Sequence, residues 1–241
     1  NIYELSSTTK NIENLKKAFV DFIKKVNDVY TKNKTMVIAT RLNDGERDIF
    51  DDTEANKSKS KFKIDFDTIK SGIRLLDDQE WFLKVFQNNA KIIIIGAVHI
   101  AEPLINFANH LNYEVFLIDP RSTFNEKKFN NIKIFKEWPD EALKKITIDQ
   151  NTAIVTLTHD PKLDDPALEF SLKTNAFYIG CLGSKKTHDS RILRLKKKGI
   201  NKEQLNKLNG PVGLSIAAKT PSEIAISIIS QVILFKNTAN A

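Results

Sequence analysis

Cysteine, methionine and tryptophan are all scarce: the 241-residue chain has one cysteine, Cys181, one methionine and two tryptophans. A single cysteine excludes an internal disulfide and a cysteine-built zinc cage, and it points to a reducing compartment. Long apolar runs are missing too. IIIIG and IAISIISQVILF are short or broken by polar residues, well below the roughly 18 to 20 apolar residues a membrane span requires. The opening NIYELSSTTKNIENLKK lacks the basic start, apolar middle and cleavage site of a signal peptide, so the expectation is a cytoplasmic protein with no membrane partner. The net charge of +7 suggests attraction to phosphates or to an acidic partner. The lysines are scattered among Asn and Asp, however, and form no basic stripe interleaved with aromatics. Nucleic acid is therefore not an expected partner.

What is present is enough for a normal core, at 41% hydrophobic residues. Residues 9–30 carry apolar side chains at helical spacing, from Ile12 through Phe19, Phe22 and Val26 to Tyr30, with Thr8 or Thr9 available as a cap. MVIATRL, RDIF, KFKIDF and EWFLKVF are strand-like runs between charged loops. Residues 1–88 thus read as a small α+β region. After Asn89 the runs KIIIIG, YEVFLID, NIKIF, TAIVTL and AFYIG alternate with helical patterns. Continuous apolar strands of this kind indicate a parallel sheet covered on both faces. The fold class expected for residues 89–241 is therefore α/β, a Rossmann-like doubly wound parallel sheet.

Polar clusters follow these strands, where open α/β sheets bind ligands. In GAVHIA, Gly96, Val98 and Ala101 occupy the three positions that a dinucleotide-binding turn fills with small residues. Val98 crowds the space that pyrophosphate needs. His99 stands at the mouth of the next helix, as a ligand-facing or a capping residue. Asp119, at the end of the second strand, is placed to accept a ribose hydroxyl. In TLTHDPKLDD, Thr158, His159 and Asp160 offer a hydroxyl, an imidazole and a carboxylate. They form a pocket wall or, with His99 and Asp164, part of a metal site, while Asp160 before Pro161 also suits a helix cap. In GCLGSKKTHDSRI, Gly183, Ser184, Lys185, Lys186 and Arg191 read as a glycine turn, a helix start and nearby cations, a cradle for phosphate or equally a capped helix with solvated lysines. Cys181 inside it reads as a buried strand-end thiol or a sulfur-handling one. In GPVGLSIAAKTPSEIA, Gly213 suits a turn and Pro221 after Thr220 begins a helix.

Taken in order and spacing, GAVHIA, LIDPRSTFNEKKF, LTHDPKLDDPALEFSL, YIGCLGSKKTHDSRI and GPVGLSIAAKTPSEIAISI resemble the C-terminal domain of the XdhC/CoxI family. That family comprises accessory proteins of molybdenum hydroxylases such as xanthine dehydrogenase and carbon monoxide dehydrogenase. The resemblance implies a chaperone, rather than a catalyst, that binds the molybdenum cofactor (molybdopterin), assists its sulfuration and delivers it to the hydroxylase apoenzyme. A sulfurtransferase and a second copy of the chain are further expected partners. By the resemblance, Gly96, His99, Asp119, Arg121, Thr158, His159, Asp160, Gly183, Ser184 and Lys185 are the cofactor-binding residues. Gly213, Lys219 and Pro221 match the last motif, which Ser215 and Ala217 alter. The family's N-terminal glycine-serine-alanine-proline-arginine run and glycine-glycine-cysteine turn are absent, and only KTMVIATRLNDG resembles the start of that domain. Two other readings stay open: an NAD(P)-dependent oxidoreductase using Asp119 and His159, and a non-catalytic partner-binding scaffold.

Overall fold

The computed structural model describes residues 16–17, 19–24, 26–27, 35–51, 69–86, 89–121, 129 and 132–239. The chain divides into two compact units at the Asn88–Asn89 link.

The first unit holds a four-stranded antiparallel sheet in the order β2-β1-β4-β3, built from β1 (Met36–Arg41), β2 (Arg47–Asp51), β3 (Gly72–Leu76) and β4 (Gln79–Phe86). Alternation along the strands puts Val37, Ala39, Phe50, Trp81 and Leu83 on one face, where they form a small core. On the other face Met36 and Ile49 pack with Phe22 and Val26 from the helical residues between 16 and 27. The proposed Thr8 or Thr9 cap and the KFKIDF run lie outside the described residues. Strand β3 is absent from the sequence reading. GIRLL shows no polar–apolar alternation, and Ile73, Arg74 and Leu75 are exposed. Its place is set instead by the turn, where Asp77 (φ +48°) and Asp78 (φ +58°) close a two-residue hairpin onto β4.

The second unit is a six-stranded parallel sheet in the order β10-β9-β8-β5-β6-β7. Its strands are β5 (Lys91–Ile95), β6 (Glu114–Ile118), β7 (Lys133–Phe135), β8 (Thr152–Thr156), β9 (Tyr178–Cys181) and β10 (Leu208–Asn209). The helices are α1 (Ala101–His110), α2 (Pro139–Leu143), α3 (Pro161–Ser171), α4 (Lys185–Lys197), α5 (Lys202–Asn206) and α6 (Pro221–Ala239). The reason KIIIIG has no alternation is visible in the packing. Ile92 and Ile94 meet Leu104 and Ile105 of α1 and Ile228 and Val232 of α6 on one face. Ile93 and Ile95 meet Ala142 and Leu143 of α2 and Ala167 of α3 on the other. A strand buried on both faces needs apolar residues at every position.

From β5 the chain winds through β6 and β7 to one side, then returns to β8 beside β5 and winds through β9 and β10 to the other. This is the Rossmann order, and its reversal between β5 and β8 is the topological switch point, beside whose carboxyl end open α/β sheets bind ligands. Strand β10, only two residues long, is too short to be read from a periodic pattern.

Candidate functional site

Because every pairing in the second sheet is parallel, the residues following the strands collect at one edge. Ile95 is level with Ile118 and Thr156, and Thr156 with Cys181. The sequence-predicted positions Gly96, Asp119, Thr158 and Gly183 therefore share the carboxyl edge of the sheet.

Gly96 leaves β5 at φ +108°, and a Cβ there would lie 2.5 Å from Cγ2 of Thr158. The first glycine of the turn is thus required by the approach of β8's end as well as by its backbone angle. Val98 is half-buried and packs on the core formed with α1 and α6, while its carbonyl accepts from Ala101 N–H at 2.8 Å. The turn has Rossmann shape, but Val98 serves as a packing residue. Helix α1 has Ile100 at its N-cap, which makes no side-chain cap bond, and Glu102 in its first turn, an arrangement unfavourable to an anion. His99 is exposed in this turn.

Asp119 is only 1% exposed, and both of its oxygens are engaged. Oδ2 accepts from Ala97 N–H at 2.7 Å and Arg121 Nη2 at 2.6 Å; Oδ1 accepts from Arg121 N–H and Nε, each at 2.9 Å. Burial by itself would raise this carboxyl, but the Arg121 guanidinium and the Ala97 and Arg121 N–H groups outweigh it and hold it below the usual carboxylate range. No lone pair remains for a ribose hydroxyl. Asp119 instead ties the Gly96 turn to Arg121, whose side chain is 43% exposed and is influenced by Asp160 and Asp164 from the end of β8.

At that end Thr158 Oγ1 accepts from Asp160 N–H at 3.1 Å and donates to Asp164 Oδ1 at 2.7 Å. The bridge spans His159, which sits in the left-handed region at φ +59° with its side chain exposed. Holding a non-glycine residue there costs about 1 to 3 kcal/mol, and such residues cluster at ligand sites. Asp160 caps α3, accepting from Lys162 N–H at 2.9 Å. Asp164 is fully buried; burial raises its carboxyl above the usual range, against the pull of Thr158 and Arg191.

At the end of β9 a Cβ on Gly183 would lie 3.2 Å from Thr187. Ser184 caps α4 by accepting from Thr187 N–H at 3.2 Å. The first turn of α4 holds no acidic residue, and Lys185 and Lys186 are exposed in it. Cys181 is fully buried, and burial pushes its thiol up to about 11, so at neutral pH it is a thiol and a poor nucleophile.

Arg191, expected as a cation of the phosphate cradle, is not one. It is 1% exposed and points inward, where Nη1 donates to Cys181 Sγ at 3.1 Å and Nη2 to Leu182 O at 3.0 Å and Asp164 Oδ2 at 3.3 Å. The available signal was helical period, since Arg191 lies four residues before the buried Leu195 on α4. The last motif is a helix start. Glu223 Oε2 accepts from Lys219 and Thr220 N–H, Thr220 Oγ1 accepts from Glu223 N–H, and Lys219 is exposed. Among the described residues no three His, Cys, Asp or Glu side chains converge as a metal site. No helix among them is long and apolar enough to cross a membrane.

With this geometry in place, comparison with known proteins gives a consistent result. Residues 92–232 match the family described as the XdhC Rossmann domain. The chain is 32% identical to the molybdenum cofactor insertion chaperone PaoD of Escherichia coli over 99 residues, covering 41% of this chain and 30% of that protein. It is 27% identical to a probable xanthine dehydrogenase subunit of Bacillus subtilis over 154 residues, covering 63% and 44%. An uncharacterized Escherichia coli protein, YqeB, is 26% identical over 161 residues, covering 66% and 29%. This chain thus spans less than half the length of each of these relatives. Among solved structures it resembles a xanthine dehydrogenase from Bacillus halodurans, with a TM-score of 0.65 at 25% identity, covering 90% of this chain and 64% of that one.

Proposed function

This chain belongs to the XdhC family through its Rossmann domain, and from that premise we propose that it is a molybdenum-cofactor chaperone. It binds the cofactor at the carboxyl edge of the second sheet, assists its sulfuration and hands it to a xanthine dehydrogenase-type apoenzyme in the cytoplasm. The observation that carries this reading is the collection of the Gly96, Asp119–Arg121, Thr158–Asp160 and Gly183–Lys185 segments along the one carboxyl edge of the sheet that holds its topological switch point.

The residues fit an anionic, phosphate-bearing ligand. The side-chain-free turn at Gly183, the capped start of α4 without an acidic residue and the exposed Lys185 offer N–H groups, helix dipole and charge to a phosphate. Arg121, already oriented by Asp119, retains guanidinium donors toward solvent. His99 and His159, exposed on the turns after β5 and β8, face the pterin or metal end. When bound, the cofactor supplies the metal and its sulfur chemistry. The chain's own residues bind it, orient it and hold its phosphate. Cys181 is not the group that handles sulfur in this reading, because it is buried as a neutral thiol. The nicotinamide alternative loses support from Asp119, whose oxygens are already committed.

The test is anaerobic titration of the whole chain with molybdenum cofactor, NADH and NADPH, repeated for His99→Ala and Lys185→Glu, both exposed positions. Micromolar or tighter cofactor binding, weakened about tenfold or more by Lys185→Glu and unmatched by either nicotinamide, is expected. Nicotinamide binding alone would replace this reading with the oxidoreductase. Binding of no ligand would favour the partner-binding scaffold.

A further inference from the structure

Among the described residues, the largest fully buried side chain is a charged one, Arg191. Its Nη2 donates to the carbonyl of Leu182, immediately before the Gly183 turn, and to Asp164 Oδ2. The other oxygen of Asp164 accepts from Thr158, and Thr158 in turn holds Asp160 N–H across His159. One guanidinium, on α4, therefore reaches the turn after β9 directly and the neighbouring turn after β8 through Asp164 and Thr158.

Stability explains this arrangement poorly. The Asp164 contact is a single bond of 3.3 Å, and Arg191 Nε has no hydrogen-bond partner among the described residues. Buried ion pairs with incomplete geometry gain little over an apolar replacement of the same shape. What a rigid planar fork supplies that an apolar group cannot is a fixed relation between the groups it joins.

We propose that Arg191 is the positioning residue of the site, one buried guanidinium that locks the Leu182–Ser184 turn and, through Asp164 and Thr158, the Thr158–Asp160 turn in register with each other. This assignment rests on the ligand reading above only in what the locked turns are for. It places Arg191 out of contact with ligand and acting through its neighbours.

Hydrogen–deuterium exchange on the ligand-free full chain tests it. In Arg191→Lys a single ammonium replaces the fork. Amides of the Thr158–Lys162 and Leu182–Thr187 segments are expected to exchange together about tenfold faster, while those of β5 and β8 hold their protection. Thr158→Val cuts the chain of contacts at its far end. It is expected to loosen the Thr158–Lys162 segment alone, since Arg191 still holds Leu182. Loosening of only one turn in Arg191→Lys, or an even rise across the sheet, would overturn the proposal. If Arg191→Lys does not fold, Thr158→Val decides: unchanged protection of its own turn, or equal loosening of both, is the adverse outcome. Affinity for molybdenum cofactor is expected to fall about 10- to 100-fold in both variants. Paired loosening in a protein that binds no cofactor even as wild type would keep the positioning role and refute the ligand.

Discussion

Two aspartate–arginine pairs serve the same edge of the same sheet, and they are built in opposite ways. Asp119 and Arg121 are neighbours in sequence; the carboxylate accepts four hydrogen bonds, two of them from backbone N–H groups, and the arginine remains 43% exposed. Asp164 and Arg191 come from α3 and α4, meet through one 3.3 Å contact and are buried at 0% and 2% side-chain exposure. The first carboxyl is held below its usual range, whereas burial lifts the second above it despite an arginine beside it. An adjacent cation does not by itself set a carboxyl's state; the number of donors set against the depth of burial does. One pair is a local clamp that leaves a cation half in solvent, and the other is an interior strut.

The sharpest way to break this contrast is to remove each aspartate. Asp164→Ala leaves Arg191 charged and unpaired in the interior and leaves the Thr158 hydroxyl without its acceptor, so a loss of about 3 to 5 kcal/mol is expected. Urea denaturation would show it as a lower midpoint at unchanged slope. A loss under about 1 kcal/mol, the range of an exposed pair, would mean that the interior relaxes around the cation and is no strut.

Asp119→Asn is expected to cost about 2 kcal/mol at neutral pH, because asparagine can still accept from Ala97 but no longer pairs with the guanidinium. Its pH dependence has a definite sign. With a folded value below the unfolded one near 4, the Asp119 contribution is present above that pH and fades as pH falls through the folded value. The gap between wild type and Asp119→Asn should therefore close in acid. Asp164, raised in the folded state, contributes with the opposite slope, losing stability as pH rises from about 4 through its folded value. Thermal unfolding followed from about pH 3 to 7 separates the two.

How legible each pair was follows from its span. The Gly96, Asp119, Thr158 and Gly183 turns are local features, short runs after apolar strands, and a parallel sheet then brings such ends to one edge without further information. The double burial of Ile92 to Ile95 was legible for the same reason. Asp164 and Arg191 lie 27 residues apart, and Arg191 stands in a lysine-rich helix that reads as solvated. Only the inward position it shares with Leu195 betrays it. The engaged state of Asp119 was equally hidden, since an acidic residue after the second strand suits a ribose hydroxyl until Arg121 is seen to fold back onto it. Strands β3 and β10 escaped because one lacks alternation and the other has two residues.

The smallest expected effect on stability is at Arg121, and it is the one that defines the clamp. Arg121→Ala removes two charge-assisted bonds, yet Asp119 keeps the backbone N–H groups of residues 97 and 121, and much of the guanidinium lies in solvent. Exposed or half-exposed ion pairs contribute about 0 to 1 kcal/mol, so unfolding by urea should shift less than for either aspartate variant. Ligand affinity should respond in the reverse order, falling more for Arg121→Ala than its stability loss implies. A cation that costs little to remove from the fold but much from binding is held for the ligand. If Arg121→Ala instead destabilises the chain as strongly as Asp164→Ala while leaving affinity intact, then both arginines are struts, and the site takes its charge from Lys185 and the start of α4 alone.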